Sequence, residues 1–354
     1  MHLHDYHAAH GAQVAEDGIP LQYADALTEF RAAHETAILL DRSHEARLRL
    51  TGRDRAALLH RISTNDLLTL APNQARATIF TSPTGRIIER ALVLNHPTDA
   101  LTLLGSPGRG TALADYLRRN IFFQDQVILE PLNDSTRQLD WHGPNADAIA
   151  AACDADALTL PPLHGKPVSI AGVAAYLLRR EGYSGGHWSL IAPSDSAAIV
   201  WAALLELGAA HGLYAAGSLT FNALRIRAGR PGIERELSED YIPLELGLWD
   251  EVSFSKGCYT GQEIIARMES RNRLAKTIVA LTLSVNVTAP ADLVHEGKRA
   301  GTLSSSVQAP DGVIYGIGVV KPSLAVVGQT LTVGEAGATI TALPGVQRAA
   351  LQDE

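Results

Sequence analysis

Residues 255–263 read Ser255-Lys256-Gly257-Cys258-Tyr259-Thr260-Gly261-Gln262-Glu263, the least ordinary stretch of this 354-residue chain. Glycines on both sides let the backbone turn sharply and place Cys258 on an accessible loop. Gly261 then opens a helix predicted over Gln262–Ser270. Ile264, Ile265 and Met268 give it one apolar face, and Glu263 and Arg267, at i and i+4, can pair on the exposed side. Cys258 thus lies just before a helix N-terminus with Lys256 two residues away, and both features favour the thiolate. The alternative is a small buried apolar residue, as free cysteines usually are. Residues 256–276 carry Lys256, Arg267, Arg271, Arg273 and Lys276 against Glu263 and Glu269. In an acidic chain that is a local anion-attracting patch, although a solvated helix face would have the same composition.

Downstream, from about Leu274, helical periodicity disappears. Short β-rich runs at Thr277 to Leu283, Arg299 to Ser304, Ile314 to Val320 and Thr330 to Val333 alternate with Gly, Pro and Asp turns. They predict a small antiparallel sheet or barrel over residues 274–354. Upstream, Ala24, Leu27, Phe30, Ala33 and Ala37 recur at helical spacing, which predicts a helix over 20–40. Ala46 to Thr51 alternates as a strand, and a helix runs on through Leu58, Leu59 and Ile62. Arg76 to Ile79 and Ile87 to Leu94 read as strands around the turn Ser82-Pro83-Thr84-Gly85. Helices are expected at 113–117, 145–152, 196–210 and 218–226, with strands at Val173 to Leu178 and Trp188 to Ile191. Strands and helices mixed at irregular intervals indicate an α+β fold, not a doubly wound sheet.

Bulk properties exclude several classes. The net charge of −8 argues against a dedicated nucleic-acid binder. No apolar run approaches the roughly 18 to 20 residues of a membrane span, and the N-terminus lacks the pattern of a secretory signal, so a cytoplasmic protein with no membrane partner is expected. The two cysteines, Cys153 and Cys258, lie far apart, which leaves no disulfide framework and no C-x-x-C metal site. His2, His4, His7 and His10 lack Cys or Asp partners at convincing spacing, so no metal is expected. Gly182-Tyr183-Ser184-Gly185-Gly186 matches a nucleophile elbow, but a strand follows where a helix is needed, and Ser184 is expected in a hairpin turn. Ser253-Phe254-Ser255-Lys256 matches S-x-x-K with no K-T-G after it. Gly105 to Gly110 is glycine-rich without the ending of a phosphate loop.

Lys256-Gly257-Cys258-Tyr259-x-Gly261-Gln262-Glu263 resembles the signature of YgfZ-type proteins, relatives of the glycine-cleavage T-protein. Further likeness runs along most of the chain. Gly18 to Tyr23, Leu40 to Ser43, Ser63 to Asp66 and Thr84 to Ile88 look like T-protein landmarks. His142-Gly143-Pro144 and Gly182 to Gly185 fall where the T-protein has Gln-Gly-Pro and Gly-Tyr-Thr-Gly, and Leu224 to Gly229 and Gly301 to Ser305 match later segments. The resemblance implies a two-lobed folate-binding body over residues 1–273, split near 135–140, with a C-terminal antiparallel β-barrel over 274–354. It also implies tetrahydrofolate or a derivative as ligand, a role in assembling or repairing iron–sulfur client proteins, and an essential motif cysteine.

Two departures matter. T-proteins carry an acidic pair where this chain has Glu89 and Arg90, and a pterin-holding glutamate where it has Arg227. A cation cannot accept the pterin's N–H donors as a carboxylate does. Both changes argue against aminomethyl transfer. The expected working group is therefore Cys258, with Lys256 favouring its thiolate and Gln262 and Glu263 fixing the loop. Tyr183, Trp249, Arg227 and Asn65 are the expected folate contacts. The rival reading is a folate-dependent one-carbon transferase or demethylase with Glu89 or Asp66 as acid or base. A non-catalytic adaptor is the third.

Overall fold

The run Ala37-Ile38-Leu39-Leu40-Asp41, expected to continue a helix, is a strand buried at every position in the computed structural model of the protein. The helix before it is shorter, Ala26–Glu35, and starts where the Asp25 side chain accepts from the Thr28 amide. A strand covered on both faces is apolar throughout, and such a run does not distinguish strand from helix by period. Residues 1–23, 25–271 and 274–345 are described; Ala24 and Arg273, both used in the patterns above, lie outside them, as do 346–354.

The chain divides into two units. The first comprises Met1–Ala56, Thr69–Arg76 and Leu92–Leu224. Its main sheet has six strands in the order Gly165–Ile170, Val173–Arg180, Gly186–Pro193, Thr136–Gly143, Ala37–Asp41, Leu213–Ala216. The last pair is parallel and the others are antiparallel. Alternation along Thr136–Gly143 sends Leu139 and Trp141 into a core with Trp188, Leu190 and the helices Ala146–Cys153 and Ala197–Gly208. The same alternation puts Gln138, Asp140 and His142 on the opposite face, and these polar residues are buried too. Elsewhere in this unit Glu45–Thr51 pairs with Ala100–Pro107 and Ile128–Pro131. Gly110–Arg119 is helical.

The second unit comprises Ala57–Leu68, Ala77–Ala91 and the chain from Arg225 on. Thr277–Leu283, Ile314–Val320, Lys298–Gln308, Ala291–His295, Thr330–Val333 and Ala336–Ala342 close into a six-stranded barrel around Val279, Leu281, Leu293, Leu303, Val320 and Ile340. The fold is thus mixed α/β with a closed antiparallel C-terminal barrel. Two of its strands, Ala291–His295 and Ala336–Ala342, carry too weak a pattern to be read in advance: the inward positions of the second include Ala336 and Ala338. Upstream of the barrel lie the turns Pro243–Leu246 and Trp249–Glu251 and the helix Gln262–Ser270, whose bounds are those read from the sequence. Among the described residues no helix is long and apolar enough to cross a membrane.

Candidate functional site

The motif loop is held at both ends and open in the middle. At its C-terminal end Gly261 has φ +84°, and a Cβ there would lie 2.6 Å from the Ser82 carbonyl oxygen and 2.8 Å from the Gly85 Cα. Glycine is required at that position. Thr81 Oγ1 donates to the Thr260 carbonyl at 2.5 Å. Tyr259 is buried against Leu244, Val252 and Ile265. Gly257 differs from Gly261: a Cβ there would meet nothing within 4 Å, so the sharp turn is made by one glycine, not two.

At the N-terminal end Lys256 reaches back to the segment after the helix Arg55–Ile62. Its ammonium donates to the carbonyls of His60, Ser63 (2.6 Å) and Asn65 (2.9 Å) and lies 5.1 Å from the centre of the Tyr259 ring. Three N–H donors meet three acceptors. Burial pushes the Lys256 pKa down to about 8, and Asp66 opposes that shift. The lysine expected to favour the Cys258 thiolate is committed to backbone carbonyls, and its visible task is to clamp the loop.

Asn65 is likewise engaged within the protein. Its Nδ2 donates to the carbonyls of Ala77 (2.8 Å) and Asp250 (3.1 Å), while its Oδ1 accepts from the Asp66 amide. Thr64 Oγ1 donates to the Glu251 carbonyl at 2.7 Å, and the Thr64 carbonyl accepts from the Ser253 amide. These bonds stitch residues 64–65 to 250–253. Between the anchors sits Cys258, exposed to solvent. Cys153, half-buried in the first unit, has its thiol pushed up to about 12 by burial.

The other expected residues are distributed unevenly. Glu263 forms its i,i+4 pair with Arg267 at 2.8 Å on the exposed side, and Gln262 begins the helix. Trp249 packs beside Tyr259 and Val252, with its indole N–H 3.4 Å from the Gly345 carbonyl. Arg227 is exposed at the end of the helix Ser218–Arg227, its guanidinium 5.5 Å above the Tyr315 ring. Tyr183 belongs to the first unit, where its ring stacks 5.6 Å from that of His142. Ser184 sits in the turn between Val173–Arg180 and Gly186–Pro193, which rules out a nucleophile elbow. Arg90 grips the Glu251 carboxylate with Nε and a terminal nitrogen at 2.6 to 2.8 Å, and Glu89 is buried. Asp66 lies 3.2 Å from His60 Nδ1. Arg90 and Asp66 stand out in the sequence, but nothing local marks their partners, Glu251 and His60.

Comparison with known proteins gives a consistent picture. The family model "GCVT N-terminal domain" matches residues 3–256. The protein named "Putative transferase At1g60990, chloroplastic" from Arabidopsis thaliana is 32% identical over 336 residues, covering 92% of this chain and 74% of that protein. An aminomethyltransferase from Desulfitobacterium hafniense is 26% identical over 339 residues, covering 94% and 92%. The crystal structure of the glycine cleavage system aminomethyltransferase T from Bartonella henselae superposes with a TM-score of 0.83 at 20% identity, covering 97% of this chain and 96% of that one.

Proposed function

This chain belongs to the family of the GCVT N-terminal domain, and from that premise we propose that it binds tetrahydrofolate or a derivative and acts through the Cys258 thiol. Its task in this reading is the assembly or repair of iron–sulfur proteins, as a YgfZ-type member and not as a true aminomethyltransferase. The observation that carries the reading is the presentation of Cys258. The Lys256 clamp, the buried Tyr259 ring and the Gly261 turn fix the loop on both sides, and the thiol between them is exposed. Rigid support around one reactive group is what a working site needs, and an exposed free cysteine has no packing role. The thiolate would donate an electron pair to a cluster iron and displace a thiolate ligand, with no change of oxidation state. Arg90, tied to Glu251, stands where aminomethyl transfer would need an acid, and supports the same choice.

The names of the relatives favour one-carbon transfer as a second reading, with the buried Glu89 as its acid or base. One experiment separates the two. A host lacking the gene is complemented with wild type or Cys258→Ser at equal protein level, and a cluster-dependent enzyme is assayed beside a cluster-free control. Rescue by wild type alone supports the thiol-dependent role. Equal rescue by both versions rejects it, and no cluster phenotype together with one-carbon transfer to tetrahydrofolate by the purified protein establishes the transferase.

A further inference from the structure

The polar face of the main sheet in the first unit carries a second constellation. His142 and His187 are opposed across the neighbouring strands Thr136–Gly143 and Gly186–Pro193, and their rings stack with centroids 3.7 Å apart. Asp140 lies two residues along from His142 on the same face, with Oδ2 3.0 Å from His187 Nε2. All three side chains are buried, and one ligand-type atom from each lies within 4.8 Å of the others. From this arrangement we infer that Asp140, His142 and His187 form a binding site for a divalent transition-metal ion of the Zn²⁺ or Co²⁺ class.

One observation points to an ion, and a second fits it. His142 is fully buried, and neither of its ring nitrogens has a hydrogen-bond partner. Buried polar atoms are almost always satisfied, and leaving both nitrogens of an imidazole orphaned is costly. The second observation is the orientation of His187. Its Nδ1 faces the Glu181 carbonyl at 2.9 Å, and a carbonyl only accepts, so Nδ1 carries the hydrogen. Nε2 is then directed at the Asp140 carboxylate, and a proton or a metal ion sits between the two atoms, so the pair is the preformed half of a site that an ion enters by displacing that proton. A backbone carbonyl fixing the far nitrogen is the usual outer support of a metal-bound histidine.

The spacing suits such an ion. Two ligand atoms each about 2.0 to 2.1 Å from one metal lie roughly 3.0 to 3.4 Å apart, which the Asp140–His187 pair already meets. His142 must turn toward the ion, and it breaks no hydrogen bond in doing so. Two imidazoles and one carboxylate select zinc, cobalt, nickel or ferrous iron over magnesium or calcium, which prefer oxygen. Gln138 Nε2 steadies Asp140 from behind at 3.2 Å. Arg42 and Arg180 are matched by Glu45 and Asp140 in the same network, so the surroundings leave the ion's charge largely uncompensated. A hydroxide or small anion is therefore the natural fourth ligand.

The test uses the whole 354-residue chain, stripped with chelator and titrated with Co²⁺ and Zn²⁺. Expected are one equivalent of tightly bound metal, visible ligand-field absorption from Co²⁺, and a raised thermal midpoint. His142→Gln, which inserts the amide found at this place in the T-protein, should weaken binding more than about tenfold with an unchanged far-ultraviolet spectrum. His187→Gln should do the same if it folds. A His2→Ala/His4→Ala/His10→Ala variant removes the exposed N-terminal histidines and should bind as wild type does. Absence of a bound equivalent overturns the site. So does binding that survives His142→Gln but disappears with the N-terminal histidines.

Discussion

Lys256 Nζ donates to the carbonyl oxygen of Asn65 at 2.9 Å, joining two residues 191 positions apart. With the bonds to His60 and Ser63 it gathers three carbonyls of one turn onto one ammonium. Replacing it by methionine keeps the length and removes every donor. Lys256→Met should lower unfolding stability by about 2 to 3 kcal/mol, the cost of leaving partly buried acceptors unmet. Arginine should not restore it, because a planar fork cannot converge on three carbonyls. Urea titration at constant m-value measures both. An unchanged midpoint for Lys256→Met would mean that the clamp contributes nothing.

The two motif glycines should respond oppositely to the same change. Gly261→Ala forces a side chain into the left-handed region and within 2.6 Å of a carbonyl oxygen, so a loss of at least about 2 kcal/mol is expected. Gly257→Ala meets open space and should stay within about 0.5 kcal/mol of wild type. Similar losses for both would refute the account of the loop given above.

The helix Gln262–Ser270 and the strands flanking Ser82 to Gly85 were legible because their patterns are local: apolar residues three or four apart, alternation, a glycine at the turn. The strand Ala37–Asp41 was not, since a fully buried run carries no period. Ala336–Ala342 was hidden by its alanines. Asp140 and His142 alternate with Leu139 and Trp141, which on a strand ordinarily marks a solvent face; only tertiary burial turns that face into a site. Lys256 is legible as a motif residue, but the carbonyls it binds lie nearly two hundred positions upstream and no local pattern points to them.

The two thiols should separate cleanly under native conditions. Cys258 is exposed and Cys153 is half-buried with its thiol pushed up to about 12. A disulfide reagent at neutral pH should modify one thiol per chain quickly and the second only on denaturation. Cys258→Ser should abolish the fast phase and shift stability by no more than about 0.5 kcal/mol. A fast phase that persists in Cys258→Ser would place the reactive thiol at Cys153 and remove the basis for the proposed role.

Acid should expose a different weak point, in the first unit. Burial, aided by the Arg42 guanidinium, lowers the His44 pKa from its usual 6.5 to about 4 against the opposing charges of Glu45, Asp41 and Asp17. Between those two pH values the unfolded chain holds a proton that the folded chain excludes. Stability therefore rises with pH across that window and is lost as pH falls from 6.5 through 4. A shift of this size corresponds to about 3 kcal/mol at most. His44→Gln removes the titration, so its stability should decline less steeply than wild type between pH 6.5 and 4, while the two run parallel from pH 7 to 8. Chemical denaturation at half-unit steps reads the difference directly. Parallel curves below pH 6.5 would show that His44 takes up its proton as readily in the folded protein as in the unfolded chain.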